Sequence, residues 1–246
     1  MTRHTTKHLV AAGTASALLL FTACGSDDDS SANAEACDAW IAADDSVISF
    51  LFAGEGDADS VNAAIDAAID AAPDDIVDTI TELKAGVQAQ LENPESEGSN
   101  DDTLALYSES IAWVGDNCDV ETIDVTATDY EYDGIPTELP VGYTVTNFTN
   151  EGQEQHEMFA FKINDGVTES LDELFELPEE EVFGKITPVN ATFASPGDSD
   201  VGSWNLETPG NYAVVCFIPV GSVGETEGDG PPHFTEGMVQ EFTVTS

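Results

Sequence analysis

Gly210-Asn211-Tyr212-Ala213-Val214-Val215-Cys216, followed after a loop by Pro232-His233-Phe234-Thr235-Glu236-Gly237-Met238, decides how this chain is read. The first run is β-branched and aromatic, and Thr208-Pro209-Gly210 turns the chain into it, so it predicts a strand that closes on a thiol. His233 and Met238 share one short loop before a last alternating run, Phe242-Thr243-Val244. A thiol is thus held at the mouth of a sheet, with an imidazole and a thioether following it.

Working back from that strand, the period of two persists to Val120. Ile123-Asp124-Val125-Thr126-Ala127-Thr128 alternates, as does Tyr143-Thr144-Val145-Thr146-Asn147-Phe148, and Phe159, Phe161 and Ile163 share a face. Gly-, Pro- and Asn-rich breaks separate these runs, which predicts an antiparallel β-sandwich over residues 120–246. Between Asp165 and Lys185 the spacing of Leu171, Leu174 and Phe175 turns helical, an acidic excursion from the strands.

The second imidazole is His156, in Thr149-Asn150-Glu151-Gly152-Gln153-Glu154-Gln155-His156-Glu157. One thiolate, two imidazoles and a weak thioether form the donor set of a type 1 copper site. The inventory agrees: two of the four histidines lie within the first eight residues, which leaves His156 and His233. The shared pattern is N-x-G-x-x-x-H leading into one strand, P-G-x-Y-x-x-x-C, then H-x-x-x-x-M and a final G-M-x-x-x-F-x-V strand. On these motifs the C-terminal half resembles the cupredoxin family, the plastocyanin- and azurin-like blue copper proteins. The resemblance implies a Greek-key sandwich with one copper, ligated by His156, Cys216, His233 and, axially, Met238. It departs from the family between Cys216 and His233, where a Gly-rich, flexible acidic insert carries Glu225, Glu227 and Asp229. Closing a longer loop costs entropy only logarithmically, so His233 can still return to the thiol.

From Ala36 to Cys118 the period is helical. Cys37, Trp40, Ile41, Val47, Ile48 and Leu51 share one face; Ser60 is a candidate cap for the stripe Val61, Ile65, Ile69 and Ala72. Ile76, Ile80, Leu83, Val87 and Leu91 form a third stripe, and Leu104, Tyr107, Ile111, Val114 and Cys118 a fourth. The fold class is therefore α+β in two domains, a small helical bundle over residues 36–119 and the sandwich over 120–246. Cys37 and Cys118 stand at the two ends of the bundle, where a disulfide is expected in an oxidising compartment, and Cys216 is left unpaired.

The first 23 residues predict an export signal, with a basic start and an apolar run from Leu9 to Ala23 too short to span a bilayer. Leu20-Phe21-Thr22-Ala23-Cys24 resembles a bacterial lipobox, which implies acylation of Cys24 and anchoring at the extracytoplasmic face of the cell membrane. Residues 24–35 then read as a flexible acidic tether. The formal net charge is −44, with 49 acidic residues spread through both halves. Such a surface repels phosphates and excludes nucleic acid as a partner. No nucleophile-base-orienter set is visible once both histidines are assigned to copper, so an enzyme is not expected. The expected function is a monomeric, lipid-anchored electron carrier between exported or membrane redox proteins. A copper-delivery protein without redox turnover, and a metal-free interaction protein of the same fold, are the alternatives.

Overall fold

The computed structural model describes residues 27–53, 57–92, 100–224 and 226–246. The export signal, Cys24 and Glu225 lie outside the described residues. Among the described residues four helices come first: α1 (Asp27–Ala53), α2 (Ala58–Ala71), α3 (Val77–Glu92) and α4 (Asn100–Asn117). Helix α1 begins nine residues before Ala36, so most of the stretch read as a tether is helical instead. The physical reason is local: no Gly or Pro interrupts the chain between Gly25 and Gly54. The cap of α2 also differs from expectation. Asp57, not Ser60, occupies the position, its carboxylate accepting the Ser60 amide at 3.1 Å and the Ser60 hydroxyl at 3.0 Å.

The helical stripes pack as their spacing requires. Trp40, Val47, Val61, Ile65, Ile80, Leu83, Val87, Ile111 and Val114 are all buried in one core. Cys37 and Cys118 are disulfide-bonded, with Cα atoms 5.8 Å apart across 81 residues of chain. That bridge ties the first helix to the end of the fourth, just before the chain enters its first strand.

Among the described residues nine strands follow: β1 (Glu121–Thr128), β2 (Glu131–Asp133), β3 (Glu138–Pro140), β4 (Gly142–Asn150), β5 (His156–Ile163), β6 (Ile186–Ala194), β7 (Ser199–Leu206), β8 (Gly210–Val215) and β9 (Val239–Thr245). They form two sheets, ordered β2-β1-β4-β7 and β3-β9-β8-β5-β6. Both sheets are mixed, which corrects the expected antiparallel arrangement. Strand β1 runs parallel to β4, and β3 parallel to β9; the remaining pairs are antiparallel. The cause is connectivity. After the β1–β2 hairpin the chain crosses to the far sheet as β3 and crosses back as β4, and a strand returning by such a crossover lies parallel to its predecessor.

The alternation in β4 has an unexpected meaning. Tyr143 and Val145 belong to the helical core, whereas Thr144 and Thr146 face the sandwich interior with Phe148. The apolar face of that strand was made for the bundle. Asp44 of α1 is buried at this junction and accepts hydrogen bonds from Tyr107 (2.7 Å), Tyr143 (2.9 Å) and Ser203 (2.6 Å). Burial pushes its carboxyl up to about 6 against those three donors, with Asp45 adding a like charge. Bundle and sandwich are thus joined by a shared core and a buried polar cluster.

On the opposite face, Phe159, Phe161 and Ile163 of β5 pack under two short helices, α5 (Leu171–Phe175) and α6 (Glu179–Phe183). This is the acidic excursion expected between Asp165 and Lys185. Ser170 and Glu173 form a capping box that starts α5. All three described lysines meet acids: Lys84 with Asp66, Lys162 with Asp165 at 3.7 Å, and Lys185 with Glu169 at 2.8 Å.

Candidate metal centre

His156, Cys216 and His233 converge at one end of the sandwich, each wholly buried, with a donor atom from each within 4.8 Å of the others. Strand β8 delivers Cys216 to its position just past Val215. The long insert does not leave His233 adrift. It folds back as a tongue: Val220 donates to Pro231 O at 2.9 Å, His233 to Ile218 O at 2.9 Å, and Phe234 to Cys216 O at 2.9 Å. These backbone bonds lay His233 beside the thiol, so a flexible loop is not what closes the site. A short 3-10 turn, His233–Glu236, then ends on Gly237 at φ 115°, a conformation that favours glycine. That reversal returns Met238, whose amide donates to His233 O and whose carbonyl accepts the Cys216 amide, both at 3.2 Å. Met238 is fully buried in the same apolar cluster as Cys216.

The lead-in to His156 is organised by Asn150. Its side-chain carbonyl accepts the Gly152 amide at 2.8 Å, while its amide group donates to Glu154 O and Ala194 O, each at 2.8 Å. Gly152 is needed because a Cβ there would stand 2.4 Å from Asp129 Oδ1 and 2.7 Å from His156 Nε2. The N-x-G-x-x-x-H pattern therefore encodes a tight turn with room for an Asp–His contact.

Two carboxylates complete the site, and neither was foreseen. His156 Nε2 lies 2.9 Å from Asp129 Oδ1, and His233 Nε2 lies 3.1 Å from Glu154 Oε2. Burial raises Asp129, but the amides of Gln153 and Glu154 and the His156 contact outweigh it and hold the carboxyl below its usual range. Burial likewise raises Glu154, and the Gly221 amide, the Tyr130 hydroxyl and His233 hold it below the ordinary value. Both are ionised at neutral pH and can only accept, so each imidazole donates from Nε2. The Tyr130 ring lies 4.6 Å from that of His233 and its hydroxyl donates to Glu154 at 2.9 Å. Residue type singled out neither acid among so many.

What faces inward follows from that tautomer. His156 Nδ1 and His233 Nδ1 are 3.1 Å apart, and Cys216 Sγ is 3.3 Å from His233 Nδ1. In their neutral forms both Nδ1 atoms carry lone pairs, and the single thiol proton can satisfy only one of them. Burial lowers the basicity of His156, with Asp129 opposing, so an extra proton is not favoured there. Burial also pushes the Cys216 thiol up to about 12. Three electron-pair donors thus crowd a buried point that lacks the protons to pair them. A soft cation satisfies that arrangement, and a Cys thiolate with two imidazoles suits copper. Close by, burial pushes Glu157 up to about 7, although its carboxylate accepts the Phe217 amide at 2.7 Å.

No protein-family model matches the chain, and no curated protein matches it either. Among solved structures, reduced auracyanin from Roseiflexus castenholzii is 22% identical, with 51% of this chain covering 97% of that one at a TM-score of 0.34. Auracyanin A of Chloroflexus aurantiacus, described as a "blue" copper protein, is 17% identical over 50% of this chain and 98% of its own, at 0.31. Rusticyanin from Thiobacillus ferrooxidans is 17% identical over 51% and 78%, at 0.32. The chain is similar, over about half its length, to these solved structures, one of which is described as a "blue" copper protein.

Proposed function

We propose that this protein carries single electrons through one type 1-like copper held by Cys216, His156 and His233, with Met238 as the weak axial donor. The observation that supports this most directly is the convergence of two Nδ1 lone pairs and a thiol in a dry pocket, with the outer nitrogens already committed to Asp129 and Glu154. Bound copper would supply a reversible Cu(II)/Cu(I) couple. The protein's part is to fix the donors before the metal arrives. Asp129 and Glu154 set the tautomers and raise the basicity of both rings. The tongue and the Asn150 turn exclude water, and a rigid buried site limits rearrangement when the charge changes.

Burial also separates this reading from copper delivery. All three donors are sealed from solvent, which suits an ion retained through many cycles rather than one handed on. With both imidazoles committed to the metal, neither is left to act as a general base. Anchoring through an acylated Cys24 would hold the carrier at the outer face of the membrane, near exported redox partners. Among the described residues no helix is long and apolar enough to cross a membrane.

Metal analysis and a visible spectrum of the copper-exposed chain test the reading together. One copper per chain and an intense thiolate-to-Cu(II) absorption, reversibly bleached by one electron, are expected. A colourless protein that retains zinc, or one that dialysis strips of all metal, would replace the carrier with a structural or interaction role.

A further inference from the structure

An apolar groove of about 460 Å³ opens beside the metal centre, between the outer face of β5 and β6 and the helices α5 and α6. Its walls include Phe159, Phe175, Leu177, Phe183, Phe217 and Phe234. Phe217 directly follows Cys216 and Phe234 directly follows His233, and the two rings stand 5.4 Å apart. Phe175 packs on both, at 5.2 and 4.8 Å. The imidazoles themselves do not reach the surface, because Asp129, Glu154 and Tyr130 cover their outer edges. The shortest covalent routes from two of the three donors to an open surface therefore run one residue, into this groove.

Charge identifies what fits there. The helices that form its rim expose Asp172, Glu173, Glu176, Glu180 and Glu181, and Glu236 is exposed two residues beyond Phe234. The nearby cations Lys162 and Lys185 are engaged with Asp165 and Glu169. Phe183 is 51% exposed, an unusual placement for so large an apolar side chain in so acidic a setting. We propose that this groove is the docking surface for a basic redox protein that inserts an apolar protrusion between the phenylalanines. The proposal rests on the copper reading for its chemistry. One electron would pass from the partner's reduced one-electron centre, which is thereby oxidised, to the copper that His156, Cys216 and His233 would hold, with no proton transferred. The acidic rim speeds encounter, and the aromatic floor supplies the residence.

The test uses the full copper-loaded chain with ferrocytochrome c, a basic haem protein, as the probe, and hexaammineruthenium(II) as a small reductant that needs no groove. Phe183→Ser should slow reduction by cytochrome c about tenfold and leave the ruthenium rate and the copper spectrum unchanged. Glu180→Gln with Glu181→Gln should slow the cytochrome reaction several-fold at low salt, and the difference should vanish at high salt. Unchanged cytochrome rates in both variants would overturn the proposal, as would equal slowing with the ruthenium complex. A wild-type chain that dimerises, and becomes monomeric with Phe183→Ser, would overturn it in favour of a second copy as the occupant. If the chain takes up no copper, the copper reading fails separately, and calorimetric titration of the metal-free chain with cytochrome c decides the groove. Binding weakened about tenfold by Phe183→Ser upholds the surface; no binding, or equal binding, removes it.

Discussion

Two buried polar clusters sit at opposite ends of β4, near Tyr143 and near Asn150, roughly 23 Å apart at the rise of an extended strand. In the first, Asp44 receives hydroxyl protons from Tyr107, Tyr143 and Ser203, so acceptors and donors match. In the second, His156, His233 and Cys216 turn electron pairs toward one another while every proton the rings can spare goes outward to Asp129 and Glu154. The same burial has opposite meanings. A cluster whose hydrogen bonds close on themselves holds two halves of a protein together; one that is short of protons at its centre is built for a cation. The cysteines make the same point, since the paired Cys37 and Cys118 fasten the bundle and the unpaired Cys216 belongs to the site.

Substituting Cys216 by Ser should break this contrast most completely. The visible band should vanish altogether, because imidazoles and carboxylates give no comparable charge transfer, while the metal-free protein should melt within a few degrees of wild type. Persistence of the band would remove Cys216 from the ligand set. Removing the disulfide with Cys37→Ala and Cys118→Ala should lower unfolding stability by about 4 kcal/mol in the chain-entropy model for so long a loop. Denaturant titration measures this, and the copper spectrum of the folded variant should be unchanged.

Asp44→Ala strands three buried hydroxyls and should cost about 3 kcal/mol, again without altering the copper band. Its titration has a definite sign. The folded pKa is raised to about 6 from 3.8, so the stability linked to its proton is fully present below pH 3.8 and is lost as pH rises through 6. Relative to Asp44→Asn, which cannot titrate, the wild type should lose about 3 kcal/mol between pH 3.8 and 7. Unfolding curves for the two proteins across that range check it, and a constant difference would show that folding does not raise the Asp44 pKa. The smallest effects belong to the outer carboxylates. Asp129→Asn or Glu154→Gln should weaken copper binding about 10- to 100-fold with little change in melting, as measured by competition with a chelator.

Legibility followed the range of the signal. The helical stripes and the four proposed donors could be read because spacing and residue type carry them locally. Asp57 was missed as a cap because Asp and Ser compete for that position and only backbone geometry chooses between them. Asp129 and Glu154 were missed for another reason: in a chain with 49 acids, residue type distinguishes none of them. The one available hint was Gly152, whose missing Cβ is what lets Asp129 meet His156.

By itself, the sequence determined the two-part α+β organisation, the disulfide between Cys37 and Cys118, and the scarcity of thiol and imidazole that marks Cys216, His156 and His233. Those are matters of period and inventory, set by how a helix or strand repeats and by which side chains exist to be used. Only the tertiary structure decided that β1 and β4 run parallel, that Tyr143 and Val145 face the bundle rather than the sandwich, and that Cys216, Ile218 and Val220 pair through their backbones with Phe234, His233 and Pro231. Each depends on which distant segments meet, and the free energy of burying a face is the same in a short sequence window whichever partner covers it.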